Sequence, residues 1–198
     1  MRASAKPLAA YPWYLRPFFS SQRRRYGAVL DAALLWGRIP KLFMAVALLY
    51  GALDRRASPL PPALRSLLTV RVSQINHCAF CVDINSATLL KRGVPEGKLA
   101  ALAEWRSSPL FDERERLALD YAEAMTRSDA GVDDALGERV RRLFGEDGMV
   151  ELTALIAFQN MSSKFNAALA VPPQGFCRFP AATEAPPRPS GWDNSHTG

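Results

Sequence analysis

The sequence predicts an all-α fold of about seven or eight helices, and three observations predict it. No segment sustains an apolar–polar alternation of period two. Apolar residues instead recur three and four apart, as in Leu64, Leu67, Leu68, Val72 and Ile75. Helix punctuation falls where these runs end, at Gly37 and Pro40, Pro61 and Pro62, Gly93 and Pro95, and Gly145.

Taken in order, residues 1–20 are rich in Pro and aromatics (YPWYLRPFF) without a clear period, and are expected to form an arm packed on the body or on a neighbouring subunit. Residues 21–171 are expected to form a single helical domain. Its first helix covers 21–36, with Tyr26, Val29, Leu30, Ala33 and Leu34 at helical spacing. A second covers 41–53 and is apolar nearly all round, which places it centrally or in an oligomer interface. Pro61 or Pro62 starts a third helix. Asn76 is the expected N-cap of a fourth, which carries Cys78, Phe80, Cys81, Ile84 and Leu90 and ends at Gly93.

Pro95 opens a short helix through Leu99 and Leu102 to Trp105. Asp112 and Glu115 form a capping box ahead of Leu117, Tyr121, Ala124 and Met125. Another helix closes near Gly145, and residues 149–170 form the last long one. Residues 172–198 are a Pro-rich tail, expected to be mobile.

Charge is distributed unevenly. Residues 1–60 hold ten Lys or Arg against two Asp or Glu, a surplus of +8, while the remaining 138 residues hold fifteen against seventeen, or −2. The dense part, Arg23-Arg24-Arg25, is short and sits in an amphipathic helix pattern, and no nucleic-acid motif accompanies it, so a nucleic-acid partner is not expected. The apolar run 42–53 is too short to span a bilayer, so no membrane association is expected. Arg2 and Lys6 precede Pro12 and Pro17 without an apolar segment between them, which does not fit a signal peptide. Three cysteines are too few for a secreted disulfide scaffold, and a cytoplasmic protein is expected.

The chemistry of the chain centres on Cys78 and Cys81. On a helix, residues three apart share a face, so the two sulfurs can meet. That arrangement serves reversible disulfide formation or metal ligation. Zinc needs about four ligands. Cys78, Cys81 and the adjacent His77 supply three candidates, and Cys177 or His196 adds a fourth only if the tail folds back. Redox chemistry is the better account. A thiolate near a helix N-terminus is stabilised, which on residue grounds favours Cys78. The plain alternative is two small buried hydrophobes.

The segment VRVSQINHCAFCVDINSATLLKRG resembles the carboxymuconolactone decarboxylase-like superfamily, on its alkyl hydroperoxide reductase D (AhpD)-like, Cys-x-x-Cys-containing side. The likeness continues in RERLALDYAEAMT and MVELTALIAFQNMSSKFNAALAV and covers about residues 42–171. It implies an AhpD-like helical fold assembled as a homo-oligomer (trimer, hexamer or dimer). It also implies thiol-dependent peroxidase or thiol–disulfide oxidoreductase activity in antioxidant defence, with a hydroperoxide substrate, a dithiol reductant, no cofactor and no metal.

In that family the second Cys forms the sulfenic acid, so Cys81 is peroxidatic and Cys78 is the proton donor and resolving thiol. The chain departs from the family's proton relay. Asn85 stands at the relay His position and Ser66 at the relay Glu position, and neither exchanges a proton readily near neutral pH. His77 and Glu151 are the candidate replacements. Arg71, Asp83 and Arg92 flank the motif as helix-surface charges or substrate contacts. The alternative function is a non-catalytic redox sensor or small-ligand-binding oligomer on the same fold.

Overall fold

The computed structural model describes residues 1–178 of the 198. Among these residues it is entirely helical, with eight α-helices and no strand. Two short 3-10 turns, Leu8–Ala10 and Trp13–Leu15, lead into α1 (Arg16–Tyr26), α2 (Asp31–Gly37), α3 (Pro40–Leu53), α4 (Pro62–Ile75) and α5 (Ala79–Lys91). There follow α6 (Glu96–Ala100) with a 3-10 turn, then α7 (Glu113–Thr126) and α8 (Asp134–Ala168).

The central element is α4, which packs against α5, α7 and α8. It is buried on nearly every side: Leu67, Leu68, Val70, Val72 and Ser73 are all enclosed. Its aliphatic residues join Leu89, Leu119, Leu152 and Ile156 in the main core. Each such aliphatic side chain contributes roughly 1.5–3 kcal/mol of transfer free energy. A second cluster joins the N-terminal arm to the cysteines: Tyr11, Leu15 and Phe19 meet Trp36, Phe43, Phe80, Cys78 and Cys81. The arm therefore packs on the body of its own chain. Its Tyr11 ring lies against Gly37, where an added Cβ would stand 3.2 Å from Tyr11 Cε1. The Tyr11 hydroxyl donates to the Leu34 carbonyl at 2.9 Å.

Four expectations need correction. The helix expected over 21–36 is two helices. Gly27 takes the left-handed conformation (φ 80°), and its N–H bonds the Arg23 carbonyl, which closes α1. The Gln22 side chain then accepts from the Leu30 N–H and fixes the turn. Helix α1 also starts earlier, at Arg16, with Pro17 in its first turn.

Asn76 is not the N-cap of α5. It is the C-cap of α4, and Cys78 caps α5. Of the two places expected for α3, a central position or an oligomer interface, the central one is not taken. The helix buries Phe43 and Leu53 but leaves Leu48 (70 % exposed), Leu49 and Leu42 in solvent. The start of the tail is tethered: the Gln174 and Cys177 N–H groups donate to Asp83, and Gln174 Oε1 accepts from the Asp31 N–H. The rest of the expected tail lies outside the described residues.

The capping box of α7 is present in both directions between Asp112 and Glu115. The expected break near Gly145 is also present. That residue is non-helical (φ 72°), and the two helical stretches of α8 meet there. No helix among the described residues is long and apolar enough to cross a membrane.

Candidate active site

The site begins with the turn between α4 and α5. The His77 N–H bonds the Gln74 carbonyl and the Cys78 N–H bonds the Ser73 carbonyl, the paired bonds of a Schellman motif. His77 occupies the left-handed position (φ 50°) where Gly is usual, and it is exposed. Cys78 thus ends one helix and caps the next. Its sulfur accepts the Cys81 N–H at 3.2 Å, as a serine oxygen would at an N-cap.

Cys78 and Cys81 are joined as a disulfide, with Cα atoms 5.2 Å apart. Both are buried, at 1 % and 2 % exposure. They differ in what they face. Cys81 lines a cavity of about 350 Å³, and Cys78 does not. Aromatic side chains dominate the wall: Phe18, Trp36, Phe43, Tyr50, Phe80 and Phe158. Phe18, Arg25 and Tyr50 are solvent-exposed and form the rim, while Trp36, Phe43 and Phe80 are buried and form the depth.

Beside the sulfur the wall turns polar but carries no charge. Asn166 Nδ2 donates to Cys81 Sγ at 3.3 Å. Asn85 and Gln159 both donate to Ser73 Oγ, at 3.1 and 3.0 Å. The Ser73 hydroxyl in turn donates to the Thr69 carbonyl at 2.6 Å, and Gln159 also reaches Ser163 Oγ. Among the described residues, the ionisable groups on the cavity wall are Arg25, Tyr26 and Tyr50. Burial pushes the Tyr26 hydroxyl up. Loss of hydration, reinforced by the charge of Asp54, pushes the Tyr50 hydroxyl up to about 12, although the ring edge is in solvent. Both phenols therefore stay neutral where a thiol titrates.

A smaller void of about 40 Å³ lies on the far side of Asn85 and is lined by Ser66, Arg65, Arg92 and Asp54. Ser66 Oγ accepts from Arg92, which pairs with Asp54 at 2.6 Å. The structure thus places Cys81 and Asn85 on one cavity and Ser66 on its neighbour. Glu151 is engaged elsewhere, by Arg55 at 2.5 Å and by the Ser58 hydroxyl. Of the flanking charges, Arg71 pairs with Glu123. Asp83 holds the tail. Among the described residues no group of three metal-ligating side chains gathers, and Cys177 packs against the main core. His196 lies outside the described residues.

Sequence reasoning missed Ser73, Gln159 and Asn166. A signal existed: Gln159, Ser163 and Asn166 fall at i, i+4 and i+7, a polar stripe on one face of α8, and all three are buried.

A helical bundle holding a Cys-x-x-Cys disulfide at the wall of a cavity defines the AhpD-like class, and the chain belongs to the carboxymuconolactone decarboxylase family, whose model matches residues 40–124. It is 48 % identical over 174 residues to the uncharacterized protein YnjA of Escherichia coli K12, spanning 88 % of this chain and 96 % of that protein. The fold is shared with the alkylhydroperoxidase AhpD core of a peroxidase-related protein from Ralstonia eutropha JMP134 (TM-score 0.77, 23 % identity, 88 % of this chain and 93 % of that one). It is shared equally with the debrominase Bmp8 (TM-score 0.76, 24 % identity, 87 % and 91 %), a cysteine-to-alanine variant of which has been solved in complex with 2,3,4-tribromopyrrole. The family and the cysteine pair are compatible with a redox function.

Proposed function

We propose that this protein is a cofactor-free thiol peroxidase of the thiol–disulfide oxidoreductase type, with Cys81 peroxidatic and Cys78 resolving. The carrying observation is that Cys81 alone of the pair lines the cavity, while Cys78 stands behind it within bonding reach. The Cys81 thiolate attacks the terminal oxygen of a hydroperoxide, the O–O bond breaks, and the alkoxide takes the Cys78 thiol proton and leaves as alcohol. Cys81 is then a sulfenic acid. The Cys78 thiolate attacks its sulfur, forming the disulfide and releasing hydroxide, which takes a proton from solvent. A dithiol donor supplies two electrons and two protons and leaves as its own disulfide.

The cavity supports one substrate class. Its volume is some tenfold the ~30 Å³ share of one water, so it suits a hydroperoxide with a bulky apolar group. The exposed apolar face of α3 supports assembly of the chain as a homo-oligomer, which light scattering at micromolar concentration tests; a monomer counts against it.

The direct test is mass spectrometry of reduced protein after one equivalent of cumene hydroperoxide, with a sulfenic-acid trap. A fast Cys78–Cys81 disulfide is expected, with trapped adduct on Cys81 in the Cys78→Ser variant. Thiols still reduced after an hour overturn the reading.

A second reading has its own support. Among the described residues, the polar side chains beside the Cys81 sulfur are the Asn85, Gln159 and Asn166 amides and the Ser73 hydroxyl, none of them a general acid or base near neutral pH. That suits a slow redox sensor or a small-ligand binder, and the Bmp8 variant with its tribromopyrrole is an instance of a small aromatic held by this fold. A disulfide that forms once, without multiple turnover on any dithiol, favours this reading.

A further inference from the structure

Asn166 carries the inference. It lies in the last turn of α8 and is 2 % exposed. Its backbone carbonyl accepts the Val171 N–H at 3.0 Å, in the helix-ending motif whose left-handed residue is Ala170 (φ 51°), so its position is fixed. Its side chain is poorly satisfied. Nδ2 points to Cys81 Sγ at 3.3 Å, and the buried Oδ1 finds no partner among the described residues. A carboxamide brings two donor hydrogens and an acceptor oxygen, and a disulfide sulfur is a weak acceptor. Burying so polar a group for so weak a bond makes sense if the sulfur becomes charged in the other redox state.

We propose that Asn166 is the thiolate-binding residue of the site, donating its Nδ2–H to the Cys81 sulfur and holding the negative charge there once the disulfide is reduced. This rests on the reading above, in which Cys81 works as a thiolate.

Reduction adds two electrons and two protons to the S–S bond. Loss of the Cys81 proton then leaves a full charge 3.3 Å from a neutral donor, and the weak contact becomes a charge-assisted hydrogen bond. The other influences do not favour Cys81. The N-terminus of α5 serves Cys78, which receives the Cys81 N–H. Of the ionisable groups on the cavity wall, Arg25 and Tyr26 come from α1, with Arg25 at the exposed rim, and Tyr50 comes from α3; both tyrosines are neutral. Helices α2, α5 and α8 place no ionisable side chain other than Cys81 on that wall. Asn166 is therefore the feature that makes Cys81 the nucleophile despite the helix cap at Cys78.

The test is pulse alkylation with iodoacetamide across pH, on the fully reduced full-length chain, with peptide mass spectrometry reading Cys78 and Cys81 separately. In Asn166→Ala the Cys81 midpoint should rise by at least one unit, a tenfold loss of thiolate below it, with a smaller change at Cys78. In Asn166→Asp, nearly isosteric, it should rise further, since a carboxylate then faces the thiolate. An unchanged Cys81 midpoint overturns the proposal, and so does a fall, which would mean that the amide oxygen accepts from the thiol.

If neither variant folds, the wild type decides. Its Asn166 side-chain amide proton should move downfield as Cys81 ionises in the dithiol form and stay still in the disulfide form; a signal indifferent to ionisation overturns the proposal. Alkylation needs no peroxide, so absent peroxidase turnover with an intact Asn166 effect sinks only the functional reading, and the converse sinks only this one.

Discussion

The backbone N–H of Cys81 donates to the sulfur of Cys78, so Cys78, the resolving thiol of the proposed mechanism, is also the cap of the helix that carries Cys81. Serine is among the strongest N-capping residues, which separates the two roles. Under reducing conditions Cys78→Ser should unfold within about 1 kcal/mol of the wild type, and Cys78→Ala should lose about 1 kcal/mol by losing the cap. Thermal unfolding in excess reductant checks both.

His77 sits at a left-handed position and faces solvent. Its backbone forms the turn between α4 and α5, with its N–H on the Gln74 carbonyl. His77→Gly relieves the conformational strain and adds chain entropy to the unfolded state, and the two effects nearly offset. Stability should stay within about 1 kcal/mol of wild type, and the rate of disulfide formation should be unchanged. If His77 were a proton carrier, that rate would fall at least tenfold, and stopped-flow measurements of peroxide consumption distinguish the outcomes.

Glu123 anchors a buried charge cluster beside α4. Burial pushes its carboxyl up, but hydrogen bonds from Arg106 and Trp105 and the charge of Arg71 outweigh that and hold it at about 2. The folded value lies below the ordinary 4.5, so the folded state binds this proton more weakly than the unfolded chain. The stabilisation is fully present above about pH 4.5 and is lost as pH falls toward 2. Glu123→Gln should cost roughly 3 kcal/mol at pH 7, because it leaves Arg71 buried without a counter-charge. It should also flatten the acid limb of a denaturant-midpoint-against-pH curve.

Ala47 lines the cavity wall on α3. Ala47→Phe places a ring inside it. The specificity constant for a bulky organic hydroperoxide should fall at least tenfold, about 1.4 kcal/mol, while that for hydrogen peroxide should change little. Equal losses for both substrates would place the substrate elsewhere.

Much of the fold was legible because its signals are local. The capping box at Asp112, the Pro61–Pro62 start and the Gly93 stop act within one helical turn. The break at Gly27 was not legible, because apolar spacing runs on through Val29 and Leu30, and the break depends on one left-handed glycine and a Gln22 bond across the turn. Asn76 reads as the N-cap of α5 because a strong N-capping residue stands two positions before the true N-cap, which is a cysteine, while Asn76 itself closes α4. The cysteine pair was visible in the sequence, and of its surroundings only the polar stripe of α8 left a trace. Ser73, Gln159 and Asn166 converge from α4 and α8, and no local pattern encodes that convergence.

The enclosure of the two sulfurs has a kinetic consequence. With Cys78 and Cys81 at 1 % and 2 % exposure and Cys81 on the cavity wall, the proposed function makes the rim of Phe18, Arg25 and Tyr50 a shared doorway for oxidant and electron donor. A reducing sulfur must come in line with the disulfide, so a broad folded partner is turned away and a slim dithiol is admitted. Peroxide and donor then exclude one another. Turnover should follow ping-pong kinetics in which excess of either reactant slows the reaction by occupying the form of the enzyme meant for the other.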